Sequence, residues 1–260
     1  MKRLLLLLAL LIFAPAHARA WGDDGHRIVC AIAWDELSPS IQARVASILD
    51  IPGKAAFAES CYWADDVRMW RAETAPHHFI NLPRGGDEII DLARDCPQPR
   101  SCDVVAVDEH ARTLRQYYSA DALRFLGHYV GDLHQLLHTG YADDRGGNLI
   151  GGTFLGEGMT MRDLWDTYLL AATRKPWPIL ADDLHARITQ AQRWVWLGGT
   201  PSDWANETHT LVRTSVVGYH AYDPGFVFGQ DYFDANIETI YVQLQRAGVR
   251  LAELITNALQ

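Results

Sequence analysis

Three histidines and one aspartate occur in the stretch Phe125-Leu-Gly-His128-Tyr-Val-Gly-Asp132-Leu-His134-Gln-Leu-Leu-His138. His128 and Asp132 are four positions apart, so on a helix their side chains share a face and can bind one metal ion. His134 and His138 repeat this spacing one turn further on. Four such side chains on one short helical stretch are hard to explain by packing alone. The stretch predicts a helix that carries a metal site.

The first 20 residues have the pattern of a secretory signal peptide. Lys2 and Arg3 form a charged start, Leu4 to Phe13 form an apolar segment too short to span a bilayer, and Ala18-Arg19-Ala20 resembles a cleavage site. We therefore expect a mature chain of residues 21–260 that is secreted or periplasmic and has no membrane anchor. No later stretch approaches the ~20 apolar residues of a transmembrane helix.

The charge balance limits the kind of partner that the chain can bind. Removal of the first 20 residues would take away three basic residues and no acidic one, which moves the formal net charge from −9 to −12. This excess of acid argues against a module that holds nucleic acid through a broad basic surface. It does not exclude an enzyme whose metal ions supply positive charge locally. The length fits one domain.

Four cysteines in an exported chain favour disulfides over free thiols. Cys96 and Cys102 flank a short proline-rich loop, which suits a small disulfide, and this leaves Cys30 to pair with Cys61 by elimination. A zinc site built from these cysteines would be the alternative, but the chain has no C-x-x-C motif.

Helical patterns dominate the rest of the chain. Ser38-Pro39 opens a segment that ends near Leu49, Asp103 caps one that runs through Tyr118, and Asp121 begins the histidine-bearing helix. Apolar residues at spacings of three and four predict further helices over residues 160–173, 178–196, 202–216 and 231–258. Short strands are expected only near 79–81 and 148–155. The sequence predicts a single all-α domain with little or no β-structure.

Four further groups contain possible ligands. They are Trp21-Gly-Asp-Asp-Gly-His26, Trp63-Ala-Asp65-Asp66-Val-Arg68, His77-His78-Phe79-Ile-Asn81 and Leu164-Trp165-Asp166. Taken singly, such residues are more often surface histidines, helix caps or ion pairs. Together they offer imidazoles and carboxylates without thiolates, a mixture that suits zinc. Cleavage after Ala20 would also expose the α-amine of Trp21 as a ligand, with a buried N-terminal indole as the alternative.

These groups resemble the secreted zinc-dependent single-strand nucleases of the S1/P1 type across nearly all of residues 21–260. The motifs that carry the resemblance are W-G-x-x-G-H at Trp21 to His26, W-A-D-x-x-R at Trp63 to Arg68, H-F-I at His78 to Ile80, F-L-x-H-x-x-G-D-x-H-Q at Phe125 to Gln135, D-R-G-G-N at Asp144 to Asn148, W-D at Trp165 and Asp166, and W-A-x-E at Trp204 to Glu207.

The resemblance implies a mainly helical fold, shared with the zinc phospholipases C, and three zinc ions. The ligands of the first would be Asp65, His78, His128 and Asp132. The ligands of the second zinc ion would be the Trp21 amine and carbonyl, His26 and Asp132, which would bridge the first two ions. The ligands of the third would be His138, Asp166 and a histidine four residues before Asp166.

Two departures from the family pattern affect the third zinc ion. Position 162, where the family has that histidine, is Arg162. Leu136 stands where the family usually has proline, so we expect the helix to continue through His138 and to re-aim its side chain. Three outcomes are open, namely weaker metal binding, replacement of the metal by Arg162 paired with Asp166, or an impaired protein. We favour the second outcome, which leaves two zinc ions.

The resemblance also implies an activity and assigns roles to residues. It implies hydrolysis of single-stranded DNA and RNA and of 3′-nucleotides by a zinc-bridged hydroxide, with Asp65 orienting or deprotonating that water. Arg68 would stabilise charge on the phosphoryl oxygens, unless it forms only a surface ion pair. Phe79 would stack on a base, unless it is a core residue, and Asn81 would form hydrogen bonds with the base. The alternatives are a zinc phospholipase C-type phosphodiesterase and an impaired family member that only binds nucleotides or zinc. No protein partner is evident.

Overall fold

A computed structural model describes residues 21–96, 101–214, 217–219 and 225–260. The proposed signal peptide and the loop 97–100 lie outside the described residues. The described chain is mostly helical, as predicted. None of its helices combines the length and the apolar composition needed to cross a membrane.

The helices follow one another with short connections. The α-helices are α1 (Asp23–Glu36), α2 (Pro39–Leu49), α3 (Lys54–Ser60), α4 (Trp63–Val67), α5 (Leu92–Asp95), α6 (Asp103–Tyr117), α7 (Ala120–Leu133), α8 (Met161–Asp163), α9 (Leu169–Ala171), α10 (Trp177–Ala186), α11 (Gln190–Trp196), α12 (Pro201–Val212) and α13 (Gln230–Leu259). Segments of 3₁₀-helix span Ala72–His78 and Leu136–Thr139, and a π-helix spans Leu164–Tyr168.

The long helix α13 and helix α7 form the centre of the molecule. Helix α13 has 30 residues and packs against α1, α6 and α7. At its crossing with α1, a side chain at Gly248 would lie within 2.5 Å of Ile32, so the close approach requires glycine. Helix α7 is buried over most of its length, because α6, α13, α1 and α4 pack around it. Its polar residues His128 and Asp132 are therefore held inside the protein.

The β-structure is small, as the sequence predicts. Strands β1 (Gly151–Phe154) and β2 (Glu157–Thr160) form an antiparallel hairpin, and β3 (Phe226–Phe228) pairs parallel with β1. Strand β1 falls within the predicted stretch 148–155. Residues 79–81 form no named strand, and a single bridge joins the adjacent Leu82 to Tyr141.

Several predicted helices differ from the observed ones in extent. The stretch 178–196 is two helices, because α10 ends at Ala186 and Thr189 starts α11 with a capping box. The stretch 160–173 is interrupted by the π-helix. Helix α12 ends at Val212, and part of the predicted extension to 216 lies outside the described residues. The helices predicted over 39–49, 103–118 and 231–258 lie within a residue of the observed bounds.

Both disulfides join the predicted pairs of cysteines. Cys30 in α1 is bonded to Cys61, which directly follows α3, and Cys96 is bonded to Cys102 before α6. The first disulfide packs against Gly127 of α7, where an added Cβ would lie 2.8 Å from the Cys61 sulfur. It thereby links α1 to the end of α3 beside the helix that carries His128.

Candidate active site

Four side chains from three segments converge at the centre of the molecule. Asp65 comes from α4, His78 ends a 3₁₀-helix, and His128 and Asp132 share a face of α7. His78 Nδ1 lies 3.0 Å from both His128 Nε2 and Asp132 Oδ2, and the latter two atoms are 3.2 Å apart. Asp65 Oδ1 lies 3.6 Å from His78 Nδ1 and 3.9 Å from His128 Nε2. The sequence prediction named these four residues as one ligand set, and the structure brings them together.

These distances fit the coordination sphere of a zinc ion. A tetrahedral site with metal–ligand distances of about 2.0–2.1 Å places its ligand atoms roughly 3.3 Å apart. The five measured separations among the four atoms scatter around this value. Asp65 Oδ1 has no hydrogen-bond partner among the described residues, although it is buried. A buried carboxylate oxygen without a hydrogen-bond partner, beside two imidazole nitrogens, is the environment that a cation would satisfy.

Hydrogen bonding and burial prepare the imidazoles as ligands. His128 Nδ1 donates to the Cys61 carbonyl oxygen at 2.8 Å, which leaves the Nε2 lone pair directed at the site. Burial lowers the pKa of His78 to about 4, against the opposing effect of Asp132. His78 is therefore neutral at pH 7, the form that binds metal. Burial opposes ionisation of Asp132, but the adjacent His128 and His138 hold its pKa well below the usual range.

A second group of candidate ligands, His26 and Asp132, shares Asp132 with the first group, which is Asp65, His78, His128 and Asp132. We call the two groups together the metal groups. His26 stacks on His128 with ring centroids 3.8 Å apart, and its Nε2 lies 3.6 Å from Asp132 Oδ1. Neither ring nitrogen of His26 has a hydrogen-bond partner in the described part of the chain. Burial, reinforced by His128, lowers the pKa of His26. The two oxygens of Asp132 thus face two neighbouring groups, an arrangement that allows the carboxylate to bridge two metal ions.

Trp21 lies beside this second group. Its side chain is fully buried, and a Cβ added at Gly131 would lie 2.9 Å from His26 and 3.9 Å from the Trp21 ring. The next residue, Gly22, donates its N–H to the Asp166 carbonyl oxygen at 2.6 Å. Trp21 therefore lies beside His26 and next to the segment that carries Asp166.

The third predicted metal position contains a guanidinium group. His138 Nε2 lies 3.5 Å from Asp166 Oδ1, and Arg162 Nε donates to Asp166 Oδ2 at 2.9 Å. Arg162 Nη1 also donates to the Leu137 carbonyl oxygen at 2.9 Å. The Arg162 side chain is only 7% exposed, so its charge is held inside the protein. Gln135 donates to Asp166 Oδ1, so both oxygens of Asp166 are engaged by side chains.

The expectation that Leu136 prolongs the histidine helix is wrong. Helix α7 ends at Leu133, and Gln135 is extended at φ −85° and ψ 122°. His134 faces away from the metal groups, since its Nδ1 contacts the Val130 carbonyl oxygen and its Nε2 lies 2.9 Å from Arg250. These buried contacts, together with the bond from Gln135 to Asp166, stop the helix without a proline. His138 then points toward Asp132 and Asp166 from a separate 3₁₀-turn.

The residues predicted to bind a base lie on an extended segment beside the metal groups. Ile80 donates its N–H to the His138 carbonyl oxygen, and Leu82 donates to that of Gly140, both at 2.9 Å. Phe79 is 38% exposed, so the structure does not place it in the core. The buried Oδ1 of Asn81 has no hydrogen-bond partner within the described residues. Phe79 and Asn81 alternate with the residues that anchor the segment. The Phe79 ring is open to a ligand, whereas Asn81 is partly buried and its Oδ1 faces Gly146.

Arg68 lies one turn beyond Asp65. Its Nη1 is 3.6 Å from Asp65 Oδ1, and its side chain is 22% exposed. The guanidinium group therefore lies at the solvent-facing edge of the first group. It is close enough to Asp65 to contact an anion that binds at the first group.

A family model described as S1/P1 Nuclease matches residues 21–260. The chain belongs to the S1/P1 nuclease family. Nuclease P1 of Penicillium citrinum is 30% identical over 91% of this chain and 97% of its own length. Nuclease S1 of Aspergillus oryzae is 26% identical over 97% and 96%, and Endonuclease 4 of Arabidopsis thaliana is 27% identical over 92% and 89%. The resemblance predicted from the motifs is confirmed.

Two polar residues of this S1/P1 family member were not predicted to belong to the site. Gln135 lies within the histidine motif, but only the structure shows that it donates to Asp166. Asp103 was predicted to cap α6, whereas it is the first residue of that helix and is fully buried. Burial and the nearby Asp132 raise the pKa of Asp103. An acid at the start of a helix looks like an ordinary cap, so no sequence signal could have identified it.

Proposed function

We propose that the chain is a metal-dependent nuclease that hydrolyses phosphodiester bonds in single-stranded DNA and RNA and releases the phosphate of 3′-nucleotides. The observation that carries the proposal is the convergence of Asp65, His78, His128 and Asp132 at the separations expected around a zinc ion. The relatives are a plant endonuclease and two fungal nucleases, which supports the same reaction class.

Two zinc ions would be held by the two groups that share Asp132. The first would bind Asp65, His78, His128 and Asp132, and the second would bind His26, Asp132 and the amine and carbonyl of Trp21. The second set requires cleavage after Ala20, so the proposal includes removal of residues 1–20 and export of the chain. The two disulfides fit an oxidising compartment. When bound, zinc lowers the pKa of a bound water and stabilises negative charge on phosphoryl oxygens.

The side chains around the metals have separable roles in hydrolysis. Asp65 has one oxygen without a hydrogen-bond partner in the described structure, so it can orient a water molecule and accept its proton. Arg68 is close to Asp65 and partly exposed, so its guanidinium group can donate to the phosphoryl oxygens as their charge increases. Both residues act on the scissile phosphate, and neither selects a base.

Phe79 and Asn81 would hold the base next to the scissile phosphate. An exposed phenylalanine ring can stack on any base, with an affinity of about 1–3 kcal/mol and little sequence preference. The amide of Asn81 can both donate to and accept from the base edge. Such contacts favour single strands, whose bases are not paired.

At the third position, we propose that Arg162 replaces a metal ion. Its pairing with Asp166 places a permanent cation where the family pattern has a metal ligand. In this role the guanidinium group would balance negative charge on the leaving oxygen. The two bound carbonyl oxygens keep the guanidinium group in one orientation. We therefore expect two zinc ions per chain and not three.

The test combines zinc analysis with a comparison of substrates. The purified chain 21–260 is expected to contain two zinc ions and to digest single-stranded DNA faster than duplex DNA or phosphatidylcholine. His128→Asn should abolish the digestion, whereas His185→Asn, a change outside the ligand groups, should not. Hydrolysis of phosphatidylcholine alone would favour the phospholipase reaction, and zinc binding without hydrolysis of any phosphate ester would favour a binding protein. Three tightly bound zinc ions would contradict the role of Arg162.

A further inference from the structure

An exposed aromatic and apolar pair follows Arg68 directly in the chain. Met69 is 75% exposed and Trp70 is 69% exposed. The next residue is Arg71, and Arg124 at the start of α7 lies beside it. We call Met69, Trp70, Arg71 and Arg124 the Trp70 surface. Large apolar side chains exposed side by side, next to cations, often mark a place where another molecule binds.

The two arginines of the Trp70 surface are held in place by shared partners. Arg71 Nη2 lies 2.8 Å from Asp121, and Arg124 Nη1 lies 3.5 Å from the same carboxylate. Both guanidinium groups also lie near the Trp63 ring, at 5.4 and 5.3 Å from its centroid. The single carboxylate of Asp121 balances only one of the two positive charges of Arg71 and Arg124. The surface therefore offers a localised site for an anion within an acidic chain.

Acidic neighbours keep this site small. Asp66 and Glu73 lie in the same stretch of chain, so the segment as a whole carries no broad positive field. The charge pattern suits a few phosphate groups in register with exposed bases, and it does not suit a long duplex. Trp70 can stack on a base, Met69 offers an apolar contact, and the arginines can donate to phosphates.

Helix α7 connects the Trp70 surface to the metal groups. Arg124, His128 and Asp132 are spaced by four residues, so they follow one side of that helix. The rise from Arg124 to Asp132 is about 12 Å, given 1.5 Å per residue. Aromatic rings fill the interval, since Trp63 lies 5.1 Å from Phe125, which stacks 5.4 Å from Tyr129. The Trp70 surface is thus adjacent to the site but separate from the scissile phosphate.

We propose that the Trp70 surface binds nucleotides of a single strand that flank the bond being cleaved. Trp70 and Met69 contact the bases, and Arg71 and Arg124 contact the phosphates. This proposal rests on the proposed nuclease function and extends it, because it assigns part of the affinity for polynucleotides to residues outside the metal site. A 3′-nucleotide is too small to engage both places, so its hydrolysis does not depend on this surface.

The experiment compares Trp70→Ala with Trp194→Ala in the zinc-loaded chain. Trp194 on α11 is 73% exposed, which makes it a matched control for the loss of a surface indole. Binding is measured with a labelled phosphorothioate strand of about ten thymidylates, and hydrolysis with the same unmodified strand and with a 3′-nucleotide. Trp70→Ala is expected to weaken strand binding about 5-fold to 100-fold and to leave kcat/KM for the 3′-nucleotide unchanged. Trp194→Ala should change neither.

A second variant tests the phosphate contacts. Arg71→Gln is expected to lower the slope of log affinity for the strand against log salt concentration by about 0.7, the value for one contact to a single strand. Equal strand affinity in Trp70→Ala and the parent would overturn the proposal. So would a parallel loss of strand and 3′-nucleotide hydrolysis, because that would indicate damage to the metal site. If the parent binds the strand but hydrolyses neither substrate, the proposed nuclease function fails, and the binding comparison still decides the role of Trp70.

Discussion

Arg162 places a positive charge inside the protein at the predicted third metal position. A buried guanidinium group is costly unless it is paired and its N–H groups have acceptors. Arg162 meets both conditions through Asp166 and the carbonyl oxygens of Leu137 and Gly146. His138 remains next to Asp166, so two of the three predicted ligands are still in place. The position therefore has a carboxylate, an imidazole and, where the family pattern predicts a histidine, a guanidinium group.

The change Arg162→His tests whether the third metal position can be restored. The change removes the cation and introduces an imidazole, so that this position has three possible metal ligands, namely His138, Asp166 and the introduced imidazole. We expect the variant to bind one more zinc ion per chain than the parent and to hydrolyse single-stranded DNA faster in added zinc. Elemental analysis after gel filtration gives the zinc count.

Arg162→Gln serves as the control for that experiment, because it removes the charge without adding a metal ligand. It should bind the same amount of zinc as the parent and lose activity. If Arg162→His also leaves the zinc content unchanged, the remaining ligands do not have the geometry of a metal site.

At the residue scale, the sequence predicts which side chains meet but not how each is used. The family resemblance implied Asp65, His78, His128 and Asp132 as one ligand set, and the structure brings these four side chains together. The four-residue spacing on α7 accounts only for the shared face of His128 and Asp132. It misjudged Leu136, since the end of α7 depends on contacts of His134 with Arg250 and of Gln135 with Asp166. These partners are 116 and 31 residues away along the chain, so no local pattern reports them.

At the scale of elements, a carboxylate at the end of α1 joins three helices. Glu36 accepts hydrogen bonds from Arg193 of α11 at 2.6 and 2.7 Å and from His185 of α10 at 2.7 Å. Burial alone would raise the pKa of Glu36, but these partners outweigh it and lower the pKa from 4.5 to about 2. The sequence predicted one helix over 178–196, and the division into α10 and α11 allows both partners to reach Glu36.

The change Glu36→Gln should destabilise the junction in a pH-dependent manner. Because the folded state holds the pKa of Glu36 below its ordinary value, its stabilisation is complete above pH 4.5 and is lost as the pH falls toward 2. We expect the variant to lose about 2 kcal/mol of unfolding free energy at pH 7, the range for hydrogen bonds to a charged group. The difference from the parent should shrink between pH 4.5 and pH 2. Urea unfolding at several pH values measures both effects.

A matched change on the surface separates this effect from a general loss of charge. Glu157→Gln alters an exposed glutamate in β2 and should leave the unfolding free energy within about 0.5 kcal/mol of the parent. A constant difference between Glu36→Gln and the parent at every pH would show that the carboxylate contributes packing and not charge.

At the scale of the whole molecule, the sequence predicted the class of fold and the order of the helices well. Apolar spacing identified the long helices, because those helices bury one stripe against a common core. The π-helix over Leu164–Tyr168 and the pairing of β3 with β1 were not predicted. The pairing of β3 with β1 joins segments distant in sequence, which no local pattern reports. The π-helix carries Asp166, whose side chain contacts His138 and Arg162.

The side chains of the metal groups come from several different elements. Asp65 belongs to α4, His26 to α1, His78 to a 3₁₀-helix and His128 and Asp132 to α7. Several of their buried polar atoms have no hydrogen-bond partner within the described chain, including Asp65 Oδ1, Asp132 Oδ1 and both nitrogens of His26. Leaving such atoms without partners costs free energy in the folded state. Metal ions bound there would offset this cost and stabilise the fold as a whole.

Removal of the metal is therefore expected to lower the thermal stability of the chain. A ligand present at 100 times its dissociation constant stabilises a protein by about 2.7 kcal/mol, which corresponds to roughly 5–10 °C in Tm for a chain of this size. Scanning calorimetry in zinc, in chelator and after zinc is restored should show a reversible shift of at least this size. Asp132→Asn should reduce the shift, because both groups share that carboxylate, whereas the exposed change Glu157→Gln should preserve it. An identical Tm in zinc and in chelator would mean that the convergent side chains are held by packing alone.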